Sequence, residues 1–338
     1  MASGSTTIYS GWGWDEVIST AVLATVLLRK GYRVYIEFPQ PSEKKGLLIS
    51  RSYAVGITHK DGAVISDSTA IDYIPEKKLG IVIRYDGEGK GDVVMRFSNV
   101  ASLTESMLEY VQTLNEEIKL PEQLLKDLEL MNRGGGEKLS KVGRTLLKAL
   151  KMNYSSKDFR KVMYSFALDV IKSRSLRIPE EIAREAEKYD EAVGLAEKII
   201  EEKQFIPYGK LKVIVISSKF SRDFIRNNYG LFKPIAYDIL TKVCRNDGVA
   251  VLVQETELGH VIRVCLRTTE VSFVKVISSI PEELSERLLI TLRGNHIIIK
   301  FKDPSESSLD KALELVERIG TTISTALEGK RNVERGKQ

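Results

Sequence analysis

The sequence contains few of the residues that build disulfide frameworks and soft-metal sites. It has two Cys and three His among 338 residues. Cys244 and Cys265 are too few for a disulfide-rich scaffold or for a zinc site with Cys ligands. Neither lies in a Cys-x-x-Cys motif or beside a His, so we expect both to be small buried hydrophobic residues in a reducing, cytoplasmic compartment.

Long apolar runs are also absent. The most apolar stretch, residues 17–28, is interrupted by Ser19, Thr20 and Thr25 and falls short of the roughly 18 apolar residues that a membrane span needs. We therefore expect no membrane association. The chain is 43% hydrophobic and has 51 Lys+Arg against 46 Asp+Glu, which is typical of a globular protein with one large domain or two domains.

The first hundred residues alternate between strand-like and helical patterns. Residues 7–10 and 33–38 are strand-like, whereas 15–30 show helical spacing of apolar residues, so together they predict a βαβ unit and a parallel sheet. The Gly-rich segment 86–92 joins two strand-like runs and predicts a hairpin loop. Further strands are predicted at 47–49, 63–66, 80–85 and 93–97.

The rest of the chain is first helical and then α/β again. After Pro179, apolar residues at spacings of three and four predict one long amphipathic helix. Beyond Pro207 strand-like runs return, and a closing helix is predicted over 307–327. We predict an α/β protein. Its N-terminal domain covers 1–178 and is helical after about residue 100, and a long connecting helix covers 179–206. A smaller C-terminal α/β domain covers 207–328, and a disordered tail covers 329–338.

Positive charge is concentrated in the helical middle of the chain. Residues 137–177 hold eleven Lys/Arg against three Asp/Glu, whereas 178–206 hold four against nine. Spacings of three and four place cations along one side of a helix, with aromatic residues and Arg160 following: Lys138, Lys141, Arg144, Lys148 and Lys151. This pattern has two interpretations. It is either a solvated helix face or a surface that neutralises the phosphates of single-stranded nucleic acid.

The loop after the first strand is the most informative segment for function. In a parallel sheet, ligands bind at the carboxyl ends of the strands, which is where Gly11, Gly13 and Asp15 lie. The alternative is structural, because Asp15 suits a helix start and the two glycines suit a tight turn.

These residues resemble the DHH phosphoesterase superfamily, in its RecJ-like branch. That family begins with a strand and a His-x-Asp-x-Asp-Gly-x-x-Ser loop, whose His and Asp residues bind manganese or magnesium. The second Asp corresponds to Asp15 and the Ser to Ser19. Gly11 stands in place of the His, Gly13 in place of the first Asp and Glu16 in place of the Gly. The Asp-His-His triplet that names the family has no counterpart, because the three His are His59, His260 and His296.

The C-terminal region carries the second part of the resemblance. The family's C-terminal domain contains a Gly-Gly-His-x-x-Ala-Ala-Gly stretch that holds the substrate backbone. In the segment 293–301, Gly294 and His296 remain, Asn295 replaces a Gly, and isoleucines 297–299 replace small residues. By this resemblance Arg293 and His296 are candidate nucleic-acid contacts, together with the basic set Lys141, Arg144, Lys148, Lys151 and Arg160.

The resemblance implies a RecJ-like protein that has lost its catalytic motifs. It resembles the archaeal family in which such a protein joins GINS and, through GINS, the MCM helicase. We therefore expect no catalytic residue apart from a vestigial Asp15, no cofactor, GINS as the partner, and single-stranded DNA as a further candidate ligand. Two alternatives stay open. One is an active manganese- or magnesium-dependent phosphodiesterase or exonuclease that uses Asp15, Asp67, Asp86 or His59 as substitute ligands. The other is a single-strand binder that acts without GINS.

Overall fold

The computed structural model describes residues 4–201, 205–208 and 211–335. The chain divides into two compact units, Met1–Glu187 and Lys188–Gln338. Each unit combines helices with a mixed sheet, so the predicted α/β class is confirmed. The boundary between the units lies inside the long predicted helix, which spans Glu180–Glu201.

Eight strands build two sheets in the first unit: β1 (Ser5–Ser10), β2 (Arg33–Glu37), β3 (Leu48–Ser50), β4 (Tyr53–Val55), β5 (Val64–Ser66), β6 (Thr69–Ile74), β7 (Leu79–Tyr85) and β8 (Gly91–Ser98). The main sheet has the order β2-β1-β4-β6-β7-β8. Its first four strands are parallel to one another, and β7 and β8 extend it antiparallel. The sheet is therefore parallel around β1, where the candidate loop begins.

Six helices complete this part of the chain: α1 (Trp14–Arg29), α2 (Leu103–Thr113), α3 (Glu122–Asn132), α4 (Lys141–Met152), α5 (Lys157–Ser173) and α6 (Glu180–Glu201). Helix α1 is the centre of the core and packs on α2 and α5. It has no charged residue between Glu16 and Arg29, which suits a helix that is enclosed on almost every side. Serine side chains cap the N-termini of α2, α4 and α5.

The second face of the main sheet is covered by a smaller parallel pair. Strands β3 and β5 pair only with each other. Their residues Ile49 and Ile65 are buried and pack in one cluster with Ala54 and Ala70 of the main sheet. Small alanines on β4 and β6 thus let a second layer lie close to the sheet.

The second unit contains six strands: β9 (Ile206–Tyr208), β10 (Leu211–Ile216), β11 (Val249–Thr256), β12 (Gly259–Leu266), β13 (Leu288–Arg293) and β14 (His296–Phe301). The sheet order is β13-β14-β12-β11-β10-β9. Only β10 and β11 are parallel. Its helices are α7 (Asp223–Asn227), α8 (Tyr229–Asp247), α9 (Phe273–Ile277), α10 (Glu282–Ser285) and α11 (Leu309–Arg335).

Several predicted elements differ from the structure. Strands β4 and β6 are additional to the predicted set, and the hairpin loop between β7 and β8 is where the Gly-rich segment predicts it. The closing helix α11 continues to Arg335, into the segment predicted to be disordered, and residues 336–338 lie outside the described residues. No helix in the described ranges combines the length and the apolar character that crossing a membrane requires.

The sequence predicts two separate buried cysteines, but in the structure they form a disulfide. Cys244 at the end of α8 is bonded to Cys265 of β12, with their Cα atoms 6.1 Å apart. Both side chains are buried. Helix α8 packs across β12, and this tertiary contact brings together two residues that no local sequence motif connects.

Candidate functional site

The candidate loop leaves the carboxyl end of β1 and enters α1 within three residues. Gly13 is the N-cap of α1 and has extended backbone, without a side chain to cap the helix. Asp15 lies in the first turn and is 7% exposed. The loop is therefore placed as the sequence predicts, at the edge where a parallel sheet holds its ligands.

All four acceptor positions of the Asp15 carboxylate are filled by protein donors. The backbone N–H of Leu103 donates to Oδ2 at 2.8 Å, and the amide of Asn132 donates to the same oxygen at 2.7 Å. The backbone N–H and the hydroxyl of Thr104 donate to Oδ1 at 2.8 and 2.6 Å. A carboxylate has about four lone-pair positions, so this one is saturated.

The donors show what Asp15 does in this fold. Leu103 and Thr104 are the first two residues of α2, whose free N–H groups and positive dipole end favour a carboxylate. Asp15 thus caps α2 from a neighbouring helix, and Asn132 at the end of α3 adds a third element. The sequence-based alternative that Asp15 caps a helix is confirmed, but that helix is α2 and not α1.

Glu16 fills the space around the glycines of the loop. A Cβ placed at Gly11 would lie 2.6 Å from Cγ of Glu16, and one at Gly56, after β4, would lie 2.5 Å from the same atom. A Cβ at Gly13 would meet the Glu16 carboxylate. Burial raises the pKa of Glu16, and the neighbouring charge of Asp15 adds to the rise. Side chains at 11 and 13 and the side chain of Glu16 therefore exclude one another.

Arg160, predicted to contact nucleic acid, is instead part of the core. It has no exposed surface. Its terminal nitrogens donate to the carbonyl oxygens of Asn153 at 3.1 Å and Tyr154 at 2.8 Å, and its guanidinium lies 4.3 Å from the ring centre of Trp12. Burial lowers the pKa of Arg160 to about 10, while the negative charge of Glu16 opposes that shift. The prediction for Arg160 is wrong because a buried guanidinium cannot reach a phosphate.

The substitute metal ligands are not brought together with Asp15. His59 faces carbonyl oxygens with both ring nitrogens, 2.7 Å from Ala63 and 3.2 Å from Gly89. Asp86 accepts from the backbone N–H groups of its own hairpin, and Asp67 is exposed at the turn before β6. Over residues 4–201, 205–208 and 211–335, no three His, Cys, Asp or Glu side chains are arranged to hold a metal ion. The residues around β1 do not fit a DHH-type metal pair.

The basic helix α4 lies on the surface and is fixed at its start. Asp127 of α3 is fully buried and accepts from the backbone N–H of Ser140 at 2.9 Å, which anchors the N-cap of α4. Lys141 and Arg144 are exposed in the first turn. Lys148 and Lys151, further along, are only partly exposed and have protein partners.

The two C-terminal candidates, Arg293 and His296, also differ in exposure. Arg293 is exposed at the end of β13, and Gly294 with φ of 58° forms the turn into β14. His296 is only 7% exposed, and its Nε2 lies 3.0 Å from the hydroxyl of Tyr237. One ring nitrogen of His296 therefore bonds to protein, and its contact with nucleic acid stays a prediction.

Local sequence patterns do not identify the residues that keep the Asp15 carboxylate occupied. Thr104 and Asn132 lie 89 and 117 positions after Asp15, so no local motif connects them. The departures from the motif at Gly11, Gly13 and Glu16 are visible in the sequence. That Glu16 fills the space of side chains at positions 11 and 13 is visible only in the structure. Arg263 and Tyr237 in the second unit carry no sequence signal.

At the level of sequence, no protein-family model and no curated protein matches the chain. Among solved structures, it is similar to exonuclease RecJ bound to manganese, with 11% identity, a TM-score of 0.47 and coverage of 94% of this chain and 89% of that one. RecJ in complex with Mn²⁺ from Thermus thermophilus gives 14% identity and a TM-score of 0.43 over 96% of this chain, which spans about half (52%) of that chain. CDC45 from Entamoeba histolytica gives 8% identity and a TM-score of 0.44, with coverage of 94% and 95%.

These are solved structures to which the chain is similar. The state of the site is described by the residues of this chain alone.

Proposed function

We propose that this chain is a RecJ-like protein without nuclease activity that serves as a structural subunit of an archaeal replicative helicase assembly. In this proposal it binds GINS and, through GINS, the MCM helicase, in the cytoplasm and without a metal cofactor. The proposal combines the resemblance of the two eroded motifs with the structural state of the N-terminal site.

The saturated carboxylate of Asp15 is the observation that carries the non-catalytic part. A DHH-type reaction needs carboxylates and imidazoles that are free to hold two cations. The four donors on Asp15 occupy the lone pairs that a cation would need. Releasing it would also leave the backbone N–H groups of Leu103 and Thr104 in the first turn of α2 without an acceptor, so metal binding and this local structure compete for one carboxylate.

The partner proposal is tested by mixing the purified full chain with the archaeal GINS complex and separating the mixture by size-exclusion chromatography. We expect a joint peak at micromolar concentration, and a further shift when MCM is added to that complex. Independent elution of the chain and GINS would contradict the assignment.

The non-catalytic part has its own experiment. The full chain is incubated with manganese or magnesium and with short single-stranded DNA or linear dinucleotides. We expect no cleavage. Cleavage that disappears in Asp15→Ala, with the variant still folded by circular dichroism, would establish the alternative of an active phosphodiesterase.

Single-stranded DNA is the further ligand that we propose, with α4 as its contact. Exposed Lys141 and Arg144 lie next to each other in the first turn, where they can neutralise phosphates. Replacing either with Gln should reduce the slope of log affinity against log salt by about one for each lost phosphate contact. Lys77→Gln, an exposed lysine elsewhere in the unit, is the control. Equal slopes in all variants would remove α4 from the interface.

A further inference from the structure

Cationic side chains share one face of the sheet in the second unit. His296 of β14 is opposite Arg293 of β13 on one side and Cys265 of β12 on the other. Arg263 lies two residues before Cys265, so it projects from the same face. In the described part of the chain, Arg263, Arg267 and Arg293 have no carboxylate partner.

Two buried nitrogens of this cluster have no partner in the described part of the chain. Nδ1 of His296 and Nε of Arg263 are buried and have no hydrogen-bond partner among the described residues. Burial and the charges of Arg263 and Arg267 lower the pKa of His296. Buried polar groups are almost always paired, and like charges in one place are unfavourable. An anionic group would therefore be stabilised here.

The outer edge of the same sheet is open. Among the residues that the structure describes, β14 is the one strand that pairs with β13, so every second residue of β13 directs its N–H and C=O away from the sheet. Helix α8 packs on β10, β11 and β12, and the next face residues of β13 stay exposed. They are Leu289, Thr291 and Arg293, with Leu289 54% exposed.

We propose that the open edge strand β13, which carries Arg293, binds an extended acidic segment of a partner protein. Arg263 of β12 and Arg267 just after it add positive charge on the same side of the sheet. The segment adds to β13 as a further strand through main-chain hydrogen bonds. One of its carboxylates pairs with Arg293, and an apolar side chain on the same face covers Leu289. The assignment goes beyond the proposed function, which requires a protein partner but gives it no surface, and it does not depend on the N-terminal site.

A polypeptide fits this edge better than a nucleic acid does. The main-chain groups of an open strand are paired by another strand and not by a sugar-phosphate backbone.

The probe for the experiment is a fluorescein-labelled peptide of three Glu-Thr-Val-Thr repeats, which places Glu and Val on one face of an added strand. It is titrated against the full chain by fluorescence anisotropy. Three competitors accompany it: the same peptide with Lys for Glu, the same peptide N-methylated at alternate residues, and oligo(dT). We expect the Glu/Val peptide alone to bind. Arg293→Glu and Arg267→Glu should weaken it by about tenfold or more, whereas Lys311→Glu, an exposed charge reversal in α11, should leave it unchanged.

Each other result overturns the proposal. Absence of binding at millimolar peptide removes the site. Equal binding of the Lys/Val peptide removes charge recognition, and equal binding of the N-methylated peptide removes strand addition. Displacement by oligo(dT) that is lost in Arg293→Glu reassigns the edge to nucleic acid. Failure here leaves the GINS chromatography result untouched, so the two proposals fail separately.

Discussion

Glu16 occupies the space that a side chain at Gly11 would need, because a Cβ at Gly11 would stand 2.6 Å from Cγ of Glu16. In the motif that the loop resembles, the large residues are at the positions of Gly11 and Gly13 and the glycine is at the position of Glu16. This chain has the reverse arrangement. The loop has therefore exchanged volume between its two sides, and the change is consistent at all three positions.

That exchange predicts coupling between the two sides of the loop. Gly11→Ala should lower the free energy of unfolding by about 1–3 kcal/mol, as overpacking does. The same substitution in a Glu16→Gly background should cost less, because the blocking atoms are gone. Urea denaturation of the four proteins measures the difference.

The control for this cycle is Gly136→Ala in the same unit. A Cβ at Gly136 would meet only ordinary contact, 3.6 Å from Leu147, so we expect little change. Equal costs of Gly11→Ala with and without the Glu16 side chain would contradict the exchange.

Asp15 should be required for stability as well as for the geometry of the loop. Asp15→Ala removes the acceptor of three donors, the N–H groups of Leu103 and Thr104 and the Asn132 amide, and should cost about 3 kcal/mol or more. Asp15→Asn keeps one acceptor oxygen, so its free energy of unfolding should lie between those of the native chain and Asp15→Ala. Asp158→Ala, whose carboxylate is 89% exposed near the start of α5, is the matched control and should change stability by less than about 0.5 kcal/mol. Similar unfolding curves for Asp15→Ala and Asp158→Ala would show that the hydrogen bonds of Asp15 to α2 do not stabilise the protein.

The ionisation of Glu16 should make stability depend on pH. Burial raises its pKa in the folded state above the ordinary value of 4.5. A raised folded pKa means that the contribution to stability is fully present below the unfolded pKa and is lost as pH rises through the folded pKa. Glu16→Gln removes this loss. The variant should therefore gain stability relative to the native chain between acidic and neutral pH, as measured by urea denaturation at both. A constant difference across that range would contradict the burial of the charge.

The disulfide should contribute measurably to the second unit. Cys244 and Cys265 are separated by 21 positions, and closing a loop of that size contributes about 3 kcal/mol. Dithiothreitol should lower the melting temperature of the native chain and leave a Cys244→Ala/Cys265→Ala variant unaffected. Alkylation of both thiols in the unfolded, unreduced protein would show that the bond does not form.

The sequence predicts the elements that have long apolar patterns. The βαβ unit around α1, the long helix and the C-terminal sheet all have such patterns, whereas the hairpin loop 86–92 is predicted by its glycines. Strand β4 is three residues long and, unlike β3 and β5 of the same length, has no two adjacent large aliphatic residues that would mark it as a strand. The predicted end of α11 is too early because a polar, Gly-containing end does not prevent a helix from continuing.

The state of the site is less predictable than its position. The position follows from the order of strand, loop and helix. Whether Asp15 is free depends on Thr104 and Asn132, which tertiary folding brings to it from distant parts of the chain. Arg160 shows the converse, because the pattern of charges cannot distinguish an exposed arginine from one that folding encloses beside Trp12.

Titration of the metal-stripped full chain with manganese by isothermal calorimetry tests the central claim most directly. The saturated Asp15 and the space filled by Glu16 predict no binding heat and an unchanged melting temperature with or without the metal. Two manganese ions bound per chain, with binding lost in Asp15→Asn, would contradict the account.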